Sequence, residues 1–310
     1  MPPTAEKMPV RPHAMLRFIS RGATSWVYQV DKDLVLKIAR DPAANAFQHE
    51  NTIYDELEQH EPCPYLLQSV LRLPLLNFLP AMGRGSLEQR IKSSRRRGSG
   101  GEIHVLHTAP KIQAERWAIE IARAVAWLES IGYVHGDLRP ANMLIDDTDH
   151  IKLADFDSVC RIGSICLGSA PPWARVQGTE AGQDKGTFGT HGPRTEQFAL
   201  GSILYTITRG FEPYEEERDS AQVLTWLQNM VFPSLGETEI DGIVGRCWRG
   251  LYPSVKSLFE ETTRLEHEGA STSPQPTVLS LKDVSALRER CNGLLDAALK
   301  EALREFVSEK

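Results

Sequence analysis

The sequence predicts an α+β fold in two lobes, the first small and β-rich, the second larger and mainly helical. Short apolar runs at 17–20, 26–30, 34–39 and 75–79 surround one helical segment at 43–59. From residue 85 to about 265 the periodicity turns mainly helical. A chain of 310 residues, 41% hydrophobic and 25% charged, can bury the core that such a fold needs, as one large or two coupled domains. The boundaries that follow are a domain over 14–265, with lobes at about 14–80 and 83–265, a linker over 266–277, and a last helix over 278–309 docked on the body.

In the first lobe, a glycine-containing turn at 20–25 separates two strands, and Lys37 interrupts the apolar strand Val35-Leu36-Lys37-Ile38. Glu50 and Tyr54, four apart, share one face of the 43–59 helix. The sole basic run, Arg95-Arg96-Arg97, lies among Ser and Gly from 93 to 101, a composition that predicts a mobile, solvated loop. Trp117, Ile121, Val125 and Leu128 recur at helical spacing over 111–131, and Gly132 supplies the stop. Met143-Leu144-Ile145 and the alternating run 150–154 suit a hairpin, while 195–209 and 219–230 read as helices and 247–252 as a packed helix end. The glycine-rich stretch 176–194 reads as a loop. Ser280, with Asp283 three residues on, opens the last helix; its stripe is Leu281, Val284, Leu287, Cys291, Leu294 and Leu295.

Several function classes lose support. A formal charge of -6 and a pI near 5.9 argue against non-specific binding to nucleic acid or anionic membranes. The five cysteines, 63, 160, 166, 247 and 291, are odd in number and widely spaced, with no disulfide framework or zinc pattern. Residues 1–12 lack the apolar segment of a secretory signal, and no apolar run is long enough to span a bilayer. An intracellular location, cytoplasmic or nuclear, is the expectation.

The chemistry concentrates between residues 135 and 157. Asp137 and Asn142 stand five apart, and Asp155 follows Asn142 by thirteen residues across the expected hairpin. Such a hairpin would converge oxygen ligands of the kind magnesium prefers. Taken singly, Asn142 and Asp155 also suit turns that cap backbone groups.

The order of these motifs resembles the protein kinase family. Residues 19–28 resemble its glycine-rich strand-turn-strand, Val35-Leu36-Lys37-Ile38 its lysine-bearing strand, and His135-Gly136-Asp137-Leu138-Arg139-Pro140-Ala141-Asn142 with Asp155-Phe156-Asp157 its catalytic loop and metal-binding motif. Order and intervals agree across roughly 19–205, and the spellings are most similar to a divergent fungal kinase-like group. The resemblance implies a bilobal kinase fold that transfers the γ-phosphoryl group of ATP with Mg2+ to serine or threonine hydroxyls. It implies that Lys37 holds the α and β phosphates and that Glu50 pairs with Lys37. Asp137 would orient or deprotonate the acceptor, Arg139 would contact the moving phosphate, and Asn142 and Asp155 would bind the metal. The nucleotide would be met by Ser20, Gly22 and Ser25 in the first turn, by Val27, Val35 and Leu144 as apolar faces of a slot between the lobes, and by the backbone of Met82. His135 would pack beneath Phe156.

The departures from the family pattern matter as well. Only Gly22 remains of the usual three glycines, with Ser20 and Ser25 at the other positions, which implies weaker nucleotide affinity. Gly136 replaces the usual arginine, which argues against control by phosphate on the activation segment. Asp157 replaces a glycine, Glu196 an aspartate that anchors the catalytic loop, and the glutamate expected near 169–175 has no clear counterpart. Two alternatives stay open. One is a kinase of the same fold acting on a small hydroxylated molecule, since a glycine between His135 and Asp137 also resembles aminoglycoside and choline kinase-like proteins. The other is a nucleotide-binding pseudokinase that serves as an interaction module.

Overall fold

The computed structural model describes residues 16–41, 45–265, 276 and 278–295. Residues 14, 15, 43 and 44, nearly all of the expected linker over 266–277, and 296–309 of the expected last helix lie outside the described residues. The chain divides into two compact units, one comprising Met1–Pro62, Leu67–Met82 and Thr277–Lys310, the other Cys63–Leu66 and Gly83–Pro276. The first is β-rich and the second mainly helical, a bilobal α+β architecture.

The first unit is built on an antiparallel sheet of β1 (Arg17–Arg21), β2 (Ser25–Asp31), β3 (Leu34–Ala39), β4 (Leu71–Leu73) and β5 (Leu76–Pro80), with α1 (Asn45–Leu57) between β3 and β4. The strand order is β1-β2-β3-β5-β4, so β3 is central. Side chains alternate across a strand, and Leu34, Leu36 and Ile38 therefore share one face while Val35 and Lys37 share the other. The apolar face is fully buried with Trp26, Tyr28 and Phe78. In α1, Phe47, Glu50, Ile53, Tyr54 and Leu57 fall on one helical stripe and are all buried. The strand expected at 75–79 is β5, and a strand not expected, β4, pairs with it in a hairpin that Pro74 turns.

The second unit opens with α2 (Leu87–Ser93), whose first turn is closed by a capping box between Ser86 and Gln89. The Arg95-Arg96-Arg97 run is a strand and not a mobile loop, although Arg96 and Arg97 are exposed. It forms β6 (Arg95–Arg97), paired with β7 (Ile103–Val105). The two nitrogens of Arg95 bind Glu215 at 2.5 and 2.6 Å, and Arg97 binds the same carboxylate at 2.8 Å. A partner 120 residues from Arg95 thus fixes the side chains of Arg95 and Arg97, which local composition suggests are free.

Helix α3 (Lys111–Ser130) supplies much of the second core, and Gly132 in the left-handed region follows it. Its buried Glu120 accepts from the Ile151 amide at 2.8 Å and from the His150 ring. Trp117 Nε1 donates to the Asp149 carbonyl at 2.9 Å. These bonds hold the start of β10 (Ile151–Leu153), which is one of a run of short strands with β8 (Tyr133–Val134), β9 (Met143–Ile145) and β11 (Cys160–Arg161). β9 pairs with β10 as expected, and β8 pairs with β11. Below them α4 (Pro193–Arg209) is buried from Glu196 to Ile207. Around it lie α5 (Ser220–Gln228), α6 (Glu239–Trp248), which ends in the packed Cys247-Trp248 pair, and α7 (Val255–Thr262).

The first unit is completed by α8 (Leu281–Leu294), which starts at the Ser280–Asp283 capping box. Cys291 is fully buried within the cluster that contains Tyr28, Leu36 and Phe78, and Leu287, Leu294 and Leu295 pack partly against it. Arg288 donates to the Val70 carbonyl at 2.7 Å, and Arg290 pairs with Asp31. Leu281 is not part of this stripe and is 91% exposed. Ten residues at ~100° each place it roughly 80° round the helix from Cys291. Among the described residues, no helix is long and apolar enough to cross a membrane.

Candidate active site

In the first unit, the site begins with a buried charge pair. Lys37 Nζ lies 2.8 Å from Glu50 Oε1 and 2.7 Å from Oε2, with Lys37 6% and Glu50 1% exposed. Burying either charge alone would cost several kcal/mol, and only close pairing offsets that. Val27 stands directly opposite Lys37 on β2, so Val27, Val35 and Lys37 form one sheet face, with the two valines half-buried. The turn from β1 to β2 is closed by the Gly22 amide on the Ser25 carbonyl at 2.8 Å, while Arg40 donates to the Gly22 and Ala23 carbonyls. Ser25 is buried and Ser20 exposed, and Met82 closes this unit's central segment.

In the second unit, the loop after β8 is held from below by Glu196 on α4. Its Oε2 accepts from the His135 amide at 2.8 Å and its Oε1 from the Gly136 amide at 3.3 Å. The residue that reads in sequence as a departure therefore anchors this loop. Burial pushes its carboxyl up to about 7, against the lowering effect of those two amides. Gly136 has φ +80°, and a Cβ there would lie 2.5 Å from the Ser158 carbonyl oxygen. The backbone, rather than any lost phosphate contact, gives the local reason for glycine at this position.

Asp137 is fixed at both carboxylate oxygens. Asn142 Nδ2 donates to Oδ2 at 3.0 Å and to the Asp137 carbonyl at 2.9 Å, and Ser169 Oγ donates to Oδ1 at 3.1 Å. Asn142 ends a short 3-10 turn, Pro140–Asn142, and its carbonyl accepts from Ala154 at 2.9 Å, which ties it to the segment leading into Asp155. Arg139 is extended and half-buried just before that turn, and Leu144 lies half-buried on β9. His135 is wholly buried, its ring edge-on to Phe156 at 5.8 Å, with Nε2 donating to the Ala154 carbonyl at 3.1 Å. Its other nitrogen accepts from the Asp137 amide at 3.4 Å, and burial lowers its pKa, so the ring is neutral and structural.

The unusual backbone of the Asp155-Phe156-Asp157 motif sits at Asp155, with φ 68° and ψ 73°. Asp157 instead lies in the 3-10 turn Phe156–Ser158 and accepts from Ser158 Oγ at 3.0 Å. Sequence reasoning missed Ser169, whose hydroxyl has no local signal apart from its place in the 169–175 segment. The composition of 176–194 predicts only a loop. That stretch returns beside residues 163–166, with Ile165 bridged to Thr190 and the Cys166 amide on the Gly189 carbonyl at 2.9 Å.

The donor set of the second unit fits magnesium. Asn142 spends its amide hydrogens on Asp137, which leaves its amide oxygen as an acceptor, and Asp155 adds a carboxylate. Among the described residues, no three His, Cys, Asp or Glu side chains form a metal cage. Magnesium needs none, since it commonly takes one or two protein oxygens with phosphates and water.

Comparison with known proteins converges on one family. The protein kinase domain model matches residues 75–267, well over half of the chain. The serine/threonine-protein kinase mrck-1 of Caenorhabditis elegans is 33% identical over 144 residues, 44% of this chain and 9% of that protein. Rho-associated protein kinase let-502 of Caenorhabditis briggsae is 30% identical over 125 residues, 38% of this chain and 10% of that protein. Human myotonin-protein kinase is 32% identical over 112 residues, 34% of this chain and 18% of that protein. The chain thus spans less than a fifth of the length of each of these relatives. The family match includes Asp137, Asn142 and Asp155 and begins after Lys37 and Glu50.

Proposed function

The chain belongs to the protein kinase family, and from that premise we propose that it transfers the γ-phosphoryl group of ATP, with magnesium, to serine or threonine hydroxyls of protein substrates. The observation that carries this reading is the buried Lys37–Glu50 pair, which lies outside the matched residues and so supports it independently. A buried lysine held by a carboxylate presents a fixed cation, and positioned charge is what phosphoryl transfer requires. In this reading Lys37 meets the nucleotide phosphates, Val27, Val35 and Leu144 meet the base, and the Met82 backbone reads its edge. Ser20, Gly22 and Ser25 flank the phosphates.

Asp137 then orients the acceptor hydroxyl and takes its proton, with Ser169 and Asn142 setting the angle of its carboxylate. Arg139 contacts the moving phosphate through its planar guanidinium. Asn142 and Asp155 supply the oxygens for magnesium, which when bound neutralises charge on the phosphates. The names of the relatives, a serine/threonine-protein kinase and two further protein kinases, favour a protein acceptor. The reduced glycine turn favours a second reading, a nucleotide-binding module with little transfer.

Labelled ATP and magnesium offered with protein and small-molecule acceptors distinguish the readings. We expect label on serine or threonine of protein, and a loss of about 100-fold or more in Asp137→Asn and in Lys37→Ala. Label on a small molecule alone would support the metabolite kinase. Bound nucleotide without transfer to any acceptor would support the interaction module.

A further inference from the structure

Three arginines of the second unit converge on a pocket of about 220 Å3, lined among others by Arg175, Glu180, Arg194, Phe198, Trp248 and Arg249. Of the charged residues that line it, three are arginines and one, Glu180, is a carboxylate. Arg175, 8% exposed, pairs with Glu180 at 2.7 Å. Arg194 bonds the Phe188 carbonyl at 2.5 Å, and Arg249 bonds the Gly245 carbonyl at 3.0 Å and lies over the Phe232 ring. Among the described residues, neither has a carboxylate within ion-pair distance.

The placement of Arg194 is unfavourable for a cation in three ways. It is half-buried, it occupies the first turn of α4, where the helix dipole repels positive charge, and it faces the like charge of Arg175. Burial and Arg175 hold its pKa below the usual guanidinium range, and the charges of Glu180 and Asp184 only partly oppose this. An anion in the pocket would relieve all three penalties. The charge surplus is local, since the chain as a whole is acidic at -6.

The pocket also adjoins the chemistry. A second cavity, bordered by Asp137 and Ser169, shares Arg175, Arg194 and Phe198 with the first. We propose that the arginine pocket binds an anionic side chain of the acceptor polypeptide, a carboxylate or a phosphorylated residue near the hydroxyl that reacts, and so selects acidic or already phosphorylated substrates. The proposal rests on the protein-kinase reading and names the substrate class for that site. Guanidinium forks match both carboxylate and phosphate oxygens, so the two anions share one recognition chemistry.

The test is fluorescence anisotropy on the full chain with serine peptides of equal length, flanked by aspartate, phosphoserine, alanine or lysine. The aspartate and phosphoserine peptides should bind at least about ten-fold more tightly than the alanine peptide, and the lysine peptide more weakly. In Arg194→Gln and in Arg249→Gln that preference should fall towards one. Glu180→Gln, which removes the competing carboxylate, should raise it. Because Arg249 and Glu180 are accessible at the surface, their variants keep the test decisive if Arg194→Gln does not fold. Equal affinity for all peptides, a preference unchanged in both arginine variants, or weaker binding in Glu180→Gln would overturn the proposal. Phosphoryl transfer to the same peptides separates the two claims. Preference without transfer keeps the pocket and sinks the kinase reading, whereas transfer without preference does the reverse.

Discussion

At the scale of single residues, the loop that carries Asp137 depends on two positions whose identities depart from the family pattern. Glu196 accepts both the His135 and Gly136 amides, and burial holds its carboxyl at about 7 against an ordinary value of 4.5. A raised folded-state value means that the unfolded chain releases this proton first. Stability relative to Glu196→Gln should therefore decline as pH rises from 4.5 to about 7 and stay flat above that. Denaturation midpoints of both proteins across this range check the sign; a difference that grows in favour of the wild type would contradict it. In Glu196→Gln one amide faces an NH2 group, and we expect about ten-fold slower transfer. Gly136→Ala places a methyl 2.5 Å from the Ser158 carbonyl at φ +80°, so we expect a loss of roughly 2 kcal/mol in chemical denaturation together with lost activity. The residues proposed to be catalytic are legible as types at fixed spacing. Ser169 is not, because its bond to Asp137 spans 32 residues and depends on the path of the segment between them.

Among the elements, the sheet of the first unit needs a cover that the strands themselves do not provide. Tyr28, Leu36 and Phe78 fill one face, and Cys291 of α8 is buried with them. An acid introduced there would be desolvated without a partner, so Cys291→Asp should destabilise the chain by roughly 3 kcal/mol or more. Leu281→Asp, on the 91% exposed residue, should stay within about 0.5 kcal/mol. Equal midpoints for the two variants would show that α8 does not cover the sheet. The turn between β1 and β2 carries one glycine, and restoring Ser20→Gly with Ser25→Gly should tighten ATP binding, as read by titration. Sub-micromolar affinity unchanged by those substitutions would count against the argument. Helical and strand periodicities were readable for α3, α4, β2 and β3, where a buried stripe or alternation repeats. β6 was not, since Arg95-Arg96-Arg97 has no apolar pattern and is ordered by the distant Glu215.

For the molecule as a whole, the division into a β-rich and a helical unit follows from hydrophobic period, and the kinase family from motif order along the chain. Long-range electrostatics were the unreadable part. Glu196 looks like a substitution in sequence and acts as an anchor in space, and the arginines at 175, 194 and 249 become one pocket only when their elements fold together. The proposed function makes the buried Lys37–Glu50 pair and the anchored Asp137 parts of a working protein kinase. Its most direct test is mass spectrometry of a protein acceptor after incubation with ATP and magnesium, comparing wild type with Asp137→Asn while nucleotide binding of both is measured. We expect phosphoserine or phosphothreonine from the wild type and at least about 100-fold less from Asp137→Asn, at similar nucleotide affinity. Equal phosphorylation by both proteins, or none from a wild type that binds nucleotide, would contradict it.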